Sequence, residues 1–482
     1  MPTMSHPLII QGGMGVAVSN WRLARSVSQL GHLGVISGTL LAVVFARRLQ
    51  AGDPGGHMAD AMAHFPVPAI ADRVRAAFYV PGGKADDTPF KAVAMPGVQP
   101  SRALAELTVL ANFVEVHLAK QGHTNPVGIN LLEKIQVGTL ASLYGAMLAG
   151  VDYVLMGAGI PREIPGVLDR FAAGQPAELG IDIVGAAPGA DKTFARLAPA
   201  DFFDGNAPQL RRPQFLAIVS SATLAITLAK KSTGKVDGFI VEGDLAGGHN
   251  APPRGPLQLS AEGEPVYGPR DVPDLPKIAA LGLPFWLAGA YAEPEKFAAA
   301  RALGAAGVQI GTAFAFCEES AVRPELRREV CRLAKTGQAR VFTDPLASPT
   351  GFPFKVVQME NTLSTVETYT ARPRICDLGY LREAYARADG SIGYRCAAEP
   401  AEDFIRKQGD PTAPAGRKCL CNGLLATAGL PQVRANGSAE PPILTAGNDV
   451  SLLARFLPGD AESYTAADVV RYVLGASPAA PA

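Results

Sequence analysis

Eight short runs rich in valine and isoleucine recur along this chain, each ending in glycine or a polar turn, with helix-like Ala/Leu/Arg segments between them. They are PLIIQ (7–11), LGVIS (33–37), PVGINL (126–131), DYVLMG (152–157), FLAIVS (215–220), DGFIVEG (237–243), PFWLAG (284–289) and GVQIGT (307–312). Runs this short and this apolar suit strands buried on both faces, and their alternation with helices implies parallel βα units. Eight such units closing on themselves make a (β/α)8 barrel. The same alternation would also build an open doubly wound sheet, but no GxGxxG follows the first run. The expected class is α/β, a (β/α)8 TIM barrel with large loop insertions and a C-terminal α-rich extension.

The connecting segments carry helix signals. Residues 19–31 (SNWRLARSVSQLG) offer a serine to cap and a glycine to stop. Residues 294–307 place proline at the start and glycine at the end. Two stretches are too long for plain crossovers. One, at about 46–124, contains a helical segment (103–122) and the loop-like YVPGGKADDTP. The other, at about 175–212, reads as a small hairpin plus a turn. The expected layout is a barrel over 1–343 with these insertions, and a C-terminal extension or cap over 344–482. Its tail GASPAAPA is expected to lack structure.

With 48% apolar residues in 482, a large core is readily built. Formal net charge is zero, so no basic field exists to hold a polyanion, and nucleic acid is not an expected partner. MPTMSHPLII lacks the pattern of a signal peptide, and the greasiest segment, TLLAVVFA (39–46), is far short of a membrane span. A cytoplasmic protein off the membrane is expected. Oligomeric state is open, with a homodimer as one option.

In a barrel the C-terminal ends of the strands line the active site. Read at those positions, the chain supplies QGGMG (11–15), Asn130, MGAGIP (156–161), EGDLAGGH ending in His249, LAGA (287–290) and QIGT (309–312). Bare glycine backbone can lie against a planar ring, and loops after strands seven and eight form the common phosphate site of barrel enzymes. A single glycine after a strand is more often just a turn. Five glycine-bearing strand ends and Asn130 together point to a site. A lone histidine is often a satisfied loop residue, but Gly247 and Gly248 before it favour a proton-handling role for His249.

The segments IIQGGMG, VGINL, GAGIP, VEGDLAGGH and GAAGVQIGTAF, in that order over about residues 7–316, resemble the nitronate monooxygenase (2-nitropropane dioxygenase) family of FMN-dependent barrels. That family also includes flavin-dependent enoyl reductases of fatty-acid and polyketide synthesis. The resemblance implies FMN as cofactor and His249 as the catalytic base. It implies flavin contacts from Gly12, Gly13, Met14 and Asn130, and a phosphate held by Ala288, Gly289, Gly311 and Thr312. The strand-end residues Gly157, Gly247, Gly248 and Gln309 join the expected cofactor contacts. The chain departs from the family at Ala290, where an AGG-like turn reads AGA; a backbone contact tolerates alanine there if its φ is negative. The implied activity is oxidation of alkyl nitronates with O2. The alternative is a trans-acting enoyl reductase using NAD(P)H on a carrier-bound thioester, for which the extra C-terminal length would supply a docking surface. A flavin-binding subunit without activity is the third reading.

Six cysteines in so long a chain make no disulfide scaffold. Four lie C-terminally, at Cys376, Cys396, Cys419 and Cys421. Four thiolates could hold zinc or an iron–sulfur cluster, but no C-x2-C pair is present, so they read as buried structural thiols and no metal is assigned. Cys317 and Cys331 read as core.

Overall fold

The computed structural model describes residues 6–475 except 188, 190, 204 and 206. The predicted unstructured tail therefore lies outside the described residues apart from its first glycine. All eight runs form strands: β1 (Ile9–Gln11), β2 (Gly34–Ser37), β3 (Val127–Leu132), β4 (Tyr153–Gly157), β5 (Gln214–Val219), β6 (Gly238–Glu242), β7 (Phe285–Ala288) and β8 (Gly307–Ile310). They join in one parallel sheet in consecutive order, with β8 beside β1. A parallel bridge from Ile10 to Leu33 and the Gln11 N–H to Leu33 O bond at 2.9 Å bring β1 onto β2 and close the ring.

Alternation along each strand sorts the apolar side chains into an inner and an outer core. Ile10, Val35, Leu155, Leu216, Ile240 and Trp286 fill the ring, whereas Ile9, Ile36, Val154, Phe215, Phe239 and Leu287 pack outward. Trp286 is fully buried, and its indole N–H is satisfied by Pro7 O at 2.7 Å. The outer side chains meet a shell of helices: α1 (Trp21–Gln29), α2 (Arg102–Lys120), α3 (Thr139–Leu148), α4 (Ile164–Ala172), α5 (Ala222–Lys231), α6 (Leu275–Ala279), α7 (Pro294–Ala302) and α8 (Pro324–Lys335).

Two helix signals are used differently from the sequence expectation. Asn20, not Ser19, caps α1, its Oδ1 accepting from Leu23 N at 2.9 Å. Ser19 is diverted to the site, as described below. Helix α7 ends at Ala302, with Gly304 rather than Gly307 taking the left-handed φ of +86°.

The insertions and the C-terminal extension interlock over the barrel. Residues 177–181 and 193–197 form the hairpin that the sequence suggests. Ile183–Val184 then pairs in parallel with Glu383–Ala386 of the extension. From the first insertion, Phe90 exchanges two hydrogen bonds with the Gln432 amide, at 2.8 and 3.0 Å. The extension itself mixes short helices with strands, including a hairpin of Glu383–Ala386 and Ile392–Arg395. Its long irregular stretches are held by side chains instead of ladders. Among the described residues no helix is long and apolar enough to cross a membrane.

A tight contact between two helices predicts a sensitive position. A Cβ on Gly145 of α3 would overlap the carbonyl of Val109 in α2. Gly145→Ala gains roughly 1 kcal/mol of helix propensity but overpacks a backbone contact, which typically costs about 1–3 kcal/mol. A lower midpoint in urea unfolding than the unaltered protein is the expected outcome.

Candidate active site

One cavity at the C-terminal rim of the barrel gathers every residue expected to act in catalysis or cofactor contact. Gly12, Gly13, Met14, Asn130, Gly157, Gly247, Gly248, His249, Ala288, Gly289, Gln309, Gly311 and Thr312 all line it. The site begins at β1. Ser19 Oγ accepts from Met14 N at 2.8 Å and donates to Gly12 O at 2.9 Å, lacing the QGGM turn shut. Gln11 is buried and ties Ser19 Oγ and Val35 N into the same network, at 2.8 and 3.0 Å. The turn is pressed onto β3, because a Cβ on Gly13 would overlap the Asn130 side chain.

Other glycines carry different meanings. A Cβ on Gly247 would lie 2.8 Å from the backbone of Ala446 and Gly447, so the C-terminal extension itself demands that glycine. A Cβ on Gly157 would lie 2.8 Å from Ile218 Cβ, a packing demand within the barrel. Gly311 is the opposite case. Its φ is −105°, and a Cβ there would meet only Met14 Sδ at 3.8 Å. Neither backbone conformation nor packing requires glycine at 311, so its bare backbone faces open cavity.

His249 sits where barrel and extension meet. The loop after β6 pairs with the extension through Lys355 N to Gly248 O at 3.0 Å and Asn250 N to Pro353 O at 2.9 Å. Its Nε2 is 2.7 Å from Ser348 Oγ, and its ring packs edge-on against Phe354 with centroids 4.8 Å apart. The imidazole keeps an edge open to the cavity but lies deep, and desolvation drives its pKa down to about 4. It is neutral at physiological pH.

Three acidic or hydroxylic features of the site escaped the sequence reading. Glu242, the last residue of β6, lines the cavity, and desolvation raises its carboxyl to about 7. The signal was present, since an acid closes the apolar run FIVEG at a strand's C-terminal end. Ser348 and Asp449 come from the extension and carried no signal of their own. Asp449 lines the wall beside Thr312, and burial raises its pKa while a bond to Thr312 opposes that rise. The Thr312 hydroxyl also accepts from Gly447 N at 2.9 Å, which takes up one lone pair of its oxygen. Ala290 adopts φ +58°, not the negative φ that would leave the AGA turn unstrained.

The residues nevertheless fit a bound organic anion with a polar ring. Gln309 Oε1 is buried in the site's wall without a hydrogen-bond partner among the described residues. An unsatisfied buried amide costs on the order of 1–3 kcal/mol, which a ligand donor would recover. Backbone at Gly289 and Gly311 is bare beside it, and burial disfavours the charged form of Asp449 in the same wall.

The opposed shifts of His249 and Glu242 give a signed prediction. The folded state binds fewer protons than the unfolded chain at His249 between pH 4 and 6.5, so that group makes stability rise with pH. At Glu242 the folded state binds more protons between pH 4.5 and 7, so that group makes stability fall with pH. Over pH 4.5–6.5, Glu242→Gln should therefore steepen the rise of unfolding free energy with pH, and His249→Gln should flatten it. Urea titrations at stepped pH read both slopes.

Residues 209–344, from the start of β5 through the whole of α8, match the family model described as Nitronate monooxygenase. No curated protein matches the chain. Among solved structures it is similar to FabK from Thermotoga maritima, at 16% identity over 98% of this chain and 92% of that one, with TM-score 0.47. It is similar to nitroalkane oxidase from Streptomyces ansochromogenes, at 15% identity, 97% and 94% coverage and TM-score 0.43. It is also similar to the enoyl reductase domain of MlnA from Bacillus amyloliquefaciens, at 12% identity, 97% and 93% coverage and TM-score 0.44. The match to the nitronate monooxygenase family is confined to residues 209–344, a stretch that includes His249 and the strand-seven and strand-eight turns.

Proposed function

We propose that this protein is an FMN-dependent oxidoreductase that oxidises alkyl nitronates with O2. The observation carrying the proposal is the convergence of all thirteen expected residues on one cavity, with a neutral, desolvated histidine in its wall. Bound FMN would supply the hydride and single-electron chemistry that side chains cannot. Gly12, Gly13, Met14, Asn130 and Gln309 would hold its ring, and Ala288, Gly289, Gly311 and Thr312 its phosphate. Gly157, Gly247 and Gly248 would keep the wall thin.

The basicity of His249 decides between two forms of substrate. A base with a pKa of about 4 is a poor acceptor for a carbon-bound proton at neutral pH. It is well suited to receive an already anionic nitronate without pairing it away from the ring. Ser348 Oγ fixes the ring through Nε2, and in the tautomer whose Nε2–H donates to that hydroxyl the Nδ1 lone pair is left free. The extension completes the enclosure with Phe354, Leu381, Leu420 and Leu424, which exclude water around a small substrate.

One observation favours the second reading, enoyl reduction with NAD(P)H. Between β6 and α6 the chain exposes Leu257, Leu259, Val266 and Val272. Such a surface would suit a carrier protein presenting a thioester.

The purified protein should bind one FMN per chain. Under anaerobic conditions, propyl-2-nitronate should bleach the flavin band quickly, and NADPH should not. Bleaching by NADPH alone, followed by reoxidation with an enoyl thioester, would establish the second reading. His249→Ala should retain FMN and lose turnover by roughly a hundredfold or more, the usual share of a positioned proton-handling group. Gly311→Ala should fold normally, because a Cβ there meets only Met14 Sδ at 3.8 Å, and should weaken FMN binding.

A further inference from the structure

The active-site cavity continues sideways into space that the chemistry proposed above does not use. A second cavity lies against it between the first turns of α2 and α3, and Thr39, Leu40, Leu131, Leu132 and Ile135 line both. An outer cleft follows, and Pro100, Ala105, Gly138 and Ala141 line both the second cavity and this cleft. The three spaces form one line from the ends of β2 and β3 to the surface. Exposed Arg102, Lys192 and Arg196 stand at its outer end.

The middle section is a narrow neck. It offers about 30 Å³, against about 220 Å³ in the active-site cavity and about 990 Å³ in the outer cleft. Its wall is largely apolar and comes from three parts of the chain. Pro96 and Leu104 belong to the first insertion, Val137 and Ala141 to the start of α3, and Tyr380 to the C-terminal extension. Two of its hydroxyls are already bonded within their own segments, Thr108 Oγ1 to Leu104 O at 2.7 Å and Thr139 Oγ1 to Ile135 O at 2.6 Å. Water in such a neck finds few of the polar partners it needs. Leu40, at the inner junction, holds φ +61°, a conformation that a leucine keeps only under constraint from its surroundings.

We propose that this passage holds the linear alkyl tail of the substrate. Together with the nitronate oxidation proposed above, on which the chemistry of the head group rests, the substrates are then nitronates of long, unbranched nitroalkanes. A methylene chain needs no hydrogen bonds and gains from leaving water. A neck this narrow admits it in single file and rejects a branched or aromatic tail. None of the residues lining the neck falls within residues 209–344, so the passage is independent of the stretch matched by the family model.

The test is a chain-length series on the FMN-loaded protein. It uses the nitronates of nitroethane, nitrobutane, nitrohexane and nitrooctane, each nitrated at its terminal carbon, with a branched eight-carbon isomer. In the linear series kcat/KM should rise about three- to fourfold for each methylene that enters the neck. The branched isomer should lie about tenfold below linear nitrooctane. Two variants narrow the passage. Ala105→Phe enlarges a half-buried side chain that lines both the neck and the outer cleft. Gly138→Asn adds a side chain where a Cβ meets no atom within 4 Å, and asparagine accepts the left-handed φ of +87° there. Each should flatten the series beyond nitrobutane and leave nitroethane unchanged. Turnover of nitroethane with no gain along the linear series, or a gain that both variants leave intact, would overturn the passage and spare the nitronate reading. Calorimetric binding of butanoate and decanoate, planar oxyanions that resemble a nitronate but are not oxidised, reads the passage without turnover. Tighter binding of decanoate, lost in Ala105→Phe, supports the passage even where no nitronate is oxidised; equal binding of the two overturns it.

Discussion

Closure of the eight-strand ring is the constraint on which everything else in this protein depends. Parallel strands must all run the same way, so a closed ring delivers eight C-terminal ends to one rim. The last contact of that ring is slight, a bridge between Ile10 and Leu33 with two flanking hydrogen bonds. Its consequence is large, because it sets the QGGM turn of β1 against Asn130 of β3 and the turn of β8. The inner core holds the ring at fixed diameter through Trp286, Ile240 and Leu216, all fully buried.

The C-terminal extension is the other half of the site. It reaches the barrel rim by backbone pairing at residues 353–355 and again at 445–448, where Thr445 Oγ1 accepts from Gly248 N at 2.9 Å. Both pairings grip the loop that carries His249, so the imidazole is fixed from two sides. The extension is anchored in turn by buried ion pairs. Arg372 and Glu440 lie 2.6 Å apart with almost no exposure, and Arg434 joins Glu440 to Asp377. Removing one member would strand a buried charge, which usually costs about 3–5 kcal/mol. The same network borders a small cavity lined by Cys376, Cys396, Cys419 and Cys421, through Asn422, which donates to both Asp377 and Cys419. Site, clamp and cysteines therefore form a continuous block of structure.

Several parts of this arrangement were legible in order of residues alone. Strand runs such as DGFIVEG and GVQIGT are short, apolar and bounded by glycine, and local sequence fixes such elements to within one or two residues. The candidate site followed because the barrel rule converts strand ends into one location without any knowledge of distance. Local signals misled where a side chain had a better distant partner. Ser19 reads as a helix cap, yet it bonds Gly12 and Met14 while Asn20 does the capping. Gly247 reads as a ligand contact, yet the nearest demand on it comes from Ala446 and Gly447, two hundred positions along the chain.

By itself, the sequence determined what short-range physics controls: the eight βα units, the glycine turns at their ends, and a histidine on the sixth. Only the tertiary structure decided what surrounds those groups. The depressed pKa of His249, the raised pKa of Glu242, the occupation of Thr312 by Gly447, and the meeting of four cysteines in one cavity all arise from segments far apart in the chain. Desolvation and long-range hydrogen bonding depend on what fills the space around a group, and no local pattern of residues records that.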